Sequence, residues 1–188
     1  MIFIQLLFLF HTSQKVDKCL LFASEIEKLD EKYIIKLFPK LYSICPEQAL
    51  YIPCFPPLKN FEGTNISSGF GIRKHPINGI IKHHNGIDIS SPIQEIIATG
   101  SGIVIEIVYN KGLGNYIIID HQNSYQTTYG HLSKILVKNG QNISITETIG
   151  FVGSTGASTG NHIHYEIHRN GALVNPTKYL LLLYKVYE

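Results

Sequence analysis

Short apolar runs, separated by clusters of Gly, Asn or Ser, set the pattern of the chain from about residue 66 onward. β-Branched residues dominate six of these runs: EIIATG, GIVIEIVY, NYIIIDH, YQTTYGHL, ISITETIGFVG and HIHYEIHRNG. Short runs at such regular spacing are typical of strands in a sheet, sandwich or barrel. Because no helical pattern lies between them, crossover connections are disfavoured, and we predict a mainly β, antiparallel domain over residues 61–188.

The segment before this domain has a different pattern. Residues 20–38 carry apolar side chains at helical spacing, which predicts one helix. Pro39 is expected to end that helix, because proline has no backbone N–H and restricts the residue before it. Four further prolines before Asn60 disfavour both helix and central strand. We therefore predict a short helical and Pro-rich segment over residues 18–60, which forms a linker or a wrap-around arm.

The first residues form an apolar run, Ile2 to Phe10, that is too short for a stable transmembrane span. It is about half of the roughly 20 residues needed to cross a bilayer. Its length fits the apolar region of a signal peptide, with Thr12 and Ser13 near a plausible cleavage point. No Lys or Arg precedes the run, so a buried N-terminal strand or helix is the alternative. We predict a possible signal peptide at residues 1–17.

Composition and charge narrow the class of protein. An apolar content of 44% with 16% charged residues is typical of a globular protein. A net charge of +2 gives no basic stripe, so nucleic-acid binding has little support. The cysteines are Cys19, Cys45 and Cys54, and the absence of a CxxC pair disfavours a cysteine zinc site. Cys45 and Cys54 either form a disulfide or remain buried thiols.

Eight of the nine histidines lie between His75 and His168, and this clustering indicates a site. Side chains of a strand alternate between two faces. In NHIHYEIHR, a strand therefore presents His162, His164 and Glu166, together with His168, on one face and apolar side chains on the other. The apolar face belongs to the core, and the polar face looks into water or a groove.

The same alternation, applied to HHNGIDIS, separates its two histidines. His84, Gly86 and Asp88 share one face, whereas His83 lies on the apolar face. His84 and Asp88 can converge because the residue between them has no side chain. His84 is therefore the better ligand candidate, and Gly86 is interpreted as clearance for something that approaches closely.

Two imidazoles and a carboxylate form a suitable zinc set. A catalytic zinc takes three protein ligands and keeps a fourth position for water. Each motif alone has an ordinary explanation, because exposed strand faces are polar and Asp is common near Gly turns. Their joint occurrence, with a further histidine in TYGHLS, favours a metal site.

Several motifs in order resemble one known family. SSGFGIRKHPINGIIKHHNGIDIS contains a Gly-x-Arg-x-x-Pro lead-in and His-x-x-x-Asp. GLGNYIIIDH, TTYGHLSKI, IGFVGSTGASTGNHIHYEI and NGALVNPTKYL follow. Over about residues 66–180 the chain resembles the lysostaphin/LytM-type zinc metallopeptidases, which cleave bacterial peptidoglycan. HExxH, the motif of helical zinc proteases, is absent from the sequence.

The resemblance implies a fold and a set of site residues. The fold is a central β-sheet of the duplicated-hybrid-motif type, with a groove walled by loops. His84, Asp88 and His164 would bind one zinc ion, and His131 and His162 would be the catalytic histidines. All five positions carry the residue that the family motif requires.

Other polar residues receive different interpretations. Arg73 and His75, in the lead-in, either contact substrate or fix a loop by hydrogen bonds. His121 is interpreted as structural, His168 as a surface residue. The Gly/Ser loop GSTGASTGN is not followed by Lys or by a helical pattern, so we interpret it as a groove wall rather than a phosphate-binding loop.

The expected activity is hydrolysis of peptide cross-links in peptidoglycan stem peptides by a zinc-activated water, with the two histidines assisting. The protein would be exported to the periplasm or cell envelope. One alternative is a LytM-type regulator that activates another cell-wall hydrolase without cutting. Another is a zinc peptidase that acts on protein or peptide substrates with the same residues.

Overall fold

A computed structural model of the protein describes residues 19, 28–74, 81–122 and 124–186. The two helices are α1 (Glu31–Ile44) and α2 (Pro46–Ala49). The strands are β1 (Ile66–Ser68), β2 (Gly71–Lys74), β3 (Ile81–His84), β4 (Ile87–Ser90), β5 (Glu95–Ile97), β6 (Gly102–Asn110), β7 (Gly114–Asp120), β8 (Tyr125–Gly130), β9 (Lys134–Ile135), β10 (Asn142–Ile143), β11 (Thr148–Phe151), β12 (His162–Arg169) and β13 (Ala172–Val174). The possible signal peptide at 1–17 and residues 20–27 of the predicted helix lie outside the described residues.

Antiparallel pairing joins the strands into three sheets, which confirms the predicted mainly β, antiparallel class. The main sheet has eight strands in the order β1-β4-β12-β8-β7-β6-β10, with β13 also paired to β12. A second sheet is β5-β11-β9, and β2 and β3 form a separate hairpin. Each of the six apolar runs contains a strand. β12 lies between β4 and β8, and these three strands carry most of the candidate site.

The core lies on one face of β12, as the alternation predicts. Ile163, Tyr165 and Ile167 have no exposed surface, and they belong to a cluster that includes Ile87 and Ile89 of β4. Burying such side chains is worth about 1.5–3 kcal/mol each. A shift of one residue would move this apolar set to the other face, so the core fixes the register that brings His164 opposite Asp88.

The prediction that Pro39 ends the helix was wrong. Pro39 lies inside α1, which begins after the N-cap Asp30 and continues to Ile44. Proline removes one helical hydrogen bond, but the helix buries Phe38 before the proline and Leu41 after it. This apolar packing on both sides of Pro39 outweighs its local preference, as tertiary contacts often do.

Residues 50–60 pack along the sheet domain, which corresponds to the wrap-around alternative. The backbone N–H of Cys54 donates to the Thr99 carbonyl, and the N–H of Ser101 donates to the Leu50 carbonyl. Leu58 forms an isolated β-bridge with Ile96. Of the two alternatives for Cys45 and Cys54, the disulfide between them is wrong and the buried thiol holds for Cys54 only: Cys45 is bonded to Cys19, and Cys54 is a free buried thiol.

No helix within the described ranges is both long enough and apolar enough to cross a bilayer.

Candidate metal centre and groove

The stretch HHNGIDIS is not one strand, because it breaks at Asn85 and Gly86 between β3 and β4. β3 pairs with β2 in the hairpin, whereas β4 pairs with β1 and β12. A side chain at Gly86 would collide with the carbonyl of Tyr165. The close approach inferred from the sequence is therefore that of the β12 backbone, and it lets both strands converge on one site.

His84, Asp88 and His164 meet at this convergence. One donor atom from each residue lies within 4.8 Å of the others. Nε2 of His84 is 3.2 Å from Oδ1 of Asp88, and Nδ1 of His164 is 2.9 Å from the same oxygen. All three side chains are buried or nearly so. The three residues predicted as metal ligands are thus brought together from β3, β4 and β12.

The two ligand-candidate imidazoles have their outer nitrogens already engaged. Nδ1 of His84 lies 2.8 Å from the Gly69 carbonyl, which can only accept, so this nitrogen carries a proton. Nε2 of His164 lies 3.0 Å from the Glu166 carboxylate and donates to it. Such partners fix the tautomer and leave the opposite ring nitrogen as the inward-facing donor atom.

These inward nitrogens require a positive charge between them. Nε2 of His84 and Nδ1 of His164 are 3.1 Å apart, and two lone pairs at that distance would repel. Without a metal, the charge is a proton: burial alone lowers the pKa of His164, but its bonds to Asp88 and Glu166 raise it overall to about 9. A divalent ion supplies the same charge, and two imidazoles with one carboxylate form a donor set that fits zinc.

Asp88 is held in its ionised form. Burial alone would raise the pKa of its carboxyl, but hydrogen bonds with His164 and His84 hold that pKa well below its usual range. Oδ1 of Asp88 faces the histidines. The other oxygen, Oδ2, lies 3.4 Å from Nη2 of Arg73. Arg73 therefore orients the carboxylate from the hairpin side.

His131 and His162, the predicted catalytic histidines, lie beside this group. Their ring centroids are 4.5 Å apart, and that of His131 is 6.0 Å from the His164 ring. Nδ1 of His131 donates to the Thr155 carbonyl at 2.7 Å, and Nδ1 of His162 donates to the Gly160 carbonyl at 2.8 Å. In the neutral tautomer of each ring, Nε2 is therefore left as an acceptor.

The backbone of His131 has φ +64, a region that residues other than glycine rarely adopt. Its N–H donates to the Leu113 carbonyl at 2.7 Å, which holds it to the turn between β6 and β7. At Gly114, the first residue of β7 after that turn, a side chain would collide with Thr155. Burial lowers the pKa of His131 to about 4, so its imidazole is neutral at pH 7. Strain of this kind is common at functional sites.

A groove of about 280 Å³ contains all five predicted residues. One wall is the β2–β3 hairpin, and the other is formed by the β6–β7 turn and the Gly/Ser loop before β12. The lining residues are Arg73, Lys82, His83, His84, Asn85, Asp88, Gly112, Leu113, His131, Ala157, Thr159, His162, His164 and Glu166. The Gly/Ser loop is a groove wall, as predicted.

The remaining described histidines are outside the candidate metal and catalytic set, although His83 lies at the groove lining. His121 is completely buried between the Ser101 carbonyl and the Thr127 hydroxyl, away from the groove lining. His83 is exposed and packs edge-on against Phe70. His168 is partly buried beyond the site, and His75 lies outside the described residues. Sequence reasoning missed the contact of Glu166 with His164, although their shared face on β12 was a usable signal.

Comparison with known proteins places the chain in a family. The profile of Peptidase family M23 matches residues 82–176, just over half of the chain, and the chain belongs to this family. Peptidoglycan DD-endopeptidase ShyA of Vibrio cholerae is 44% identical over 115 residues, which cover 60% of this chain and 27% of ShyA. The resemblance to lysostaphin/LytM-type peptidases is confirmed.

Solved structures show the same fold. A zinc-containing peptidase from Vibrio cholerae superposes with a TM-score of 0.61 at 39% identity, over 68% of this chain and 39% of that one. The catalytic domain of the antimicrobial peptidase lysostaphin from Staphylococcus simulans gives 0.54 at 31% identity, over 61% of this chain and 91% of that one. The chain spans only about a quarter of the length of the curated relatives it matches.

Proposed function

We propose that this protein is a zinc-dependent endopeptidase that hydrolyses peptide cross-links in bacterial peptidoglycan. The observation that carries the proposal is the convergence of His84, Asp88 and His164 in a groove that also contains His131 and His162. Relatives named as peptidoglycan DD-endopeptidases support the substrate class.

One zinc ion would be held by Nε2 of His84, a carboxylate oxygen of Asp88 and Nδ1 of His164. Three protein ligands leave a coordination position open, which distinguishes catalytic from structural zinc sites. Glu166 and the Gly69 carbonyl would hold the two imidazoles in the correct tautomers. Such outer partners are worth about 10- to 100-fold in metal affinity or activity.

When bound, zinc acts as a Lewis acid that makes water a nucleophile near neutral pH and polarises the scissile carbonyl. His131 and His162 transfer the protons. Their Nδ1–H groups are held by backbone carbonyls, so each Nε2 can accept a proton from the attacking water and return it to the leaving amine. In its protonated form each ring also donates toward the oxyanion that develops on the carbonyl.

The protein would act outside the cytoplasm, in the periplasm or cell envelope, where its substrate lies. The disulfide between Cys19 and Cys45 supports an oxidising compartment, because such bonds are rare in the cytosol. A signal peptide at residues 1–17 would provide the export route.

The test is digestion of purified sacculi, followed by analysis of the released muropeptides. We expect loss of cross-linked dimers, abolished by a chelator and by His164→Ala. His168→Ala is the matched control, because His168 lies on the same face of β12 two positions beyond Glu166 and outside the donor group. Intact dimers after incubation with a zinc-loaded protein would contradict the proposal and favour the regulator.

A further inference from the structure

The hairpin wall of the groove carries two cations in register. In the β2–β3 pairing, Arg73 lies directly opposite Lys82, and Gly71 lies opposite His84. Because strand side chains alternate, Arg73, Lys82 and His84 share one face. Arg73 and Lys82 both line the groove. The opposite face carries Ile72 and Ile81, which are 81% and 74% exposed.

Within the described residues, this pair of cations has one acidic partner, Asp88, which contacts Arg73 alone. Between Glu62 and Asp88 the sequence contains no acidic residue at all. Lys82 is exposed, and among the described residues its ammonium group has no hydrogen-bond or ion-pair partner. Like charges directly opposite each other destabilise a strand pair. The hairpin therefore pairs two cations at a cost that an anion lying between them would remove.

Arg73 has unused hydrogen-bonding capacity. Its Nη2 lies 3.4 Å from Asp88, but its Nε is buried and has no hydrogen-bond partner among the described residues. A buried donor of this kind in a native protein calls for an explanation, such as a missing water or ligand. The groove carboxylates do not provide one: Asp88 faces the histidines, and Glu166 is bonded to His164.

We propose that Arg73 and Lys82 form a subsite for a carboxylate of the substrate peptide. The inference rests on the proposed peptidase function and adds a substrate preference to it. Lys82 and His84 are two residues apart on one strand, which corresponds to roughly 7 Å. An extended peptide advances about 3.3–3.6 Å per residue. The carboxylate therefore belongs to a residue one or two positions from the scissile amide.

Each cation has a different share in this subsite. Arg73 also contacts Asp88, so replacing it would disturb the candidate metal centre as well as the substrate. Lys82 touches none of the candidate metal or catalytic residues within the described chain, which makes it the clean position for a test. Its compact charge on a flexible stem suits a carboxylate whose position varies.

The experiment uses two synthetic cross-linked stem-peptide dimers. One has free carboxylates beside the scissile amide, and the other has these groups as carboxamides. We expect the wild-type protein to cleave the free acid with a kcat/KM about tenfold higher, the range for a charge-assisted hydrogen bond at a partly exposed site. Lys82→Gln should clearly reduce this ratio, with the remaining preference coming from Arg73, and Lys82→Arg should keep it.

Lys138→Gln is the charge-matched control, because Lys138 is exposed and lies outside the groove. Its ratio should equal that of the wild type. Equal cleavage of both dimers by the wild type, or an unchanged ratio in Lys82→Gln, would overturn the subsite.

Binding separates this proposal from the proposed function. Calorimetric titration of the His162→Ala protein with both dimers measures recognition without turnover. Stronger binding of the free acid that is weakened by adding Lys82→Gln supports the subsite. If the wild type cleaves neither dimer but still shows this binding preference, the endopeptidase proposal is refuted and the subsite is not. Equal binding of both dimers refutes the subsite.

Discussion

Two buried histidines, His164 in the groove and His121 in the core, show how differently the same side chain is used in one domain. His164 lies against two carboxylates, whose hydrogen bonds raise its pKa to about 9 despite burial. His121 lies between a carbonyl and a hydroxyl, and burial lowers its pKa to about 4. One environment attracts positive charge, and the other excludes it.

The difference follows from the two faces of the central strands. Facing the groove, β12 carries His162, His164 and Glu166. Facing the core, it carries Tyr165, whose hydroxyl donates to Thr99 in a chain of neutral groups that reaches His121 through Tyr129 and Thr127. The groove therefore suits a cation, while the core contains polar groups that satisfy one another without charge.

The largest expected effect is on catalysis. His131→Ala and His162→Ala should each lower the rate of dimer cleavage by about 100-fold or more, because each removes a positioned proton acceptor. Zinc content, measured by elemental analysis, should remain at one ion per chain. His121→Ala should leave the specific activity of the folded fraction close to that of the wild type. A His131→Ala protein with full activity would contradict the assignment.

The next effect concerns metal affinity. Glu166→Gln replaces the carboxylate that accepts from His164 with a weaker partner, and zinc affinity should fall by about 10- to 100-fold. Competition with a fluorescent chelator measures this change. Glu47→Gln, at an exposed position on α2, is the matched control. Unchanged affinity in Glu166→Gln would show that the carboxylate does not support the metal centre.

The sequence predicted much of this groove because strand alternation is a local property. Strand alternation separated His84 from His83 and placed His164 and Glu166 on one face. The break at Gly86 was not visible in the pattern. The family motifs, not spacing, selected His131, whose position depends on a strained turn held by Leu113 and Thr155. Backbone contacts between distant loops leave no periodic signal.

The N-terminal segment was harder to predict for the same reason. Pro39 is a strong local signal, yet the packing of Phe38 and Leu41 on either side overrides it. Cys45 pairs with Cys19 across a separation of 26 residues, which spacing alone does not reveal. The hydrogen-bonded chain of buried side chains that joins His121 to Tyr165 was not predicted either, because each of its members resembles an ordinary strand residue.

Acid should lower the stability of the fold through the buried histidine, His121. With a pKa of about 4 when folded and 6.5 as the ordinary value, His121 binds fewer protons in the folded state between these limits. Stability is therefore lost as pH falls from 6.5 toward 4, by about 2 kcal/mol at pH 5 from this group. His121→Gln should reduce the loss of unfolding free energy between pH 7.5 and 5 by that amount.

Chemical denaturation at both pH values, on the metal-free protein, measures that difference directly. His83→Gln, at an exposed position, is the matched control. An identical pH dependence in wild type and His121→Gln would mean that a neighbouring hydrogen-bond acceptor stabilises the protonated imidazole of His121 in the folded state.

The smallest effect tests whether the core chain stabilises the fold through its hydroxyls. Thr127 Oγ1 lies 2.6 Å from Nε2 of His121 and 3.1 Å from the Tyr129 hydroxyl. Thr127→Val keeps the shape but leaves the imidazole nitrogen without a partner, which should cost about 1 kcal/mol of unfolding free energy. Thr127→Ser restores the hydroxyl and should recover part of the stability while losing a buried methyl group. If valine is as stable as threonine, apolar packing alone holds β8, and the neutral chain is incidental to the difference between the two faces.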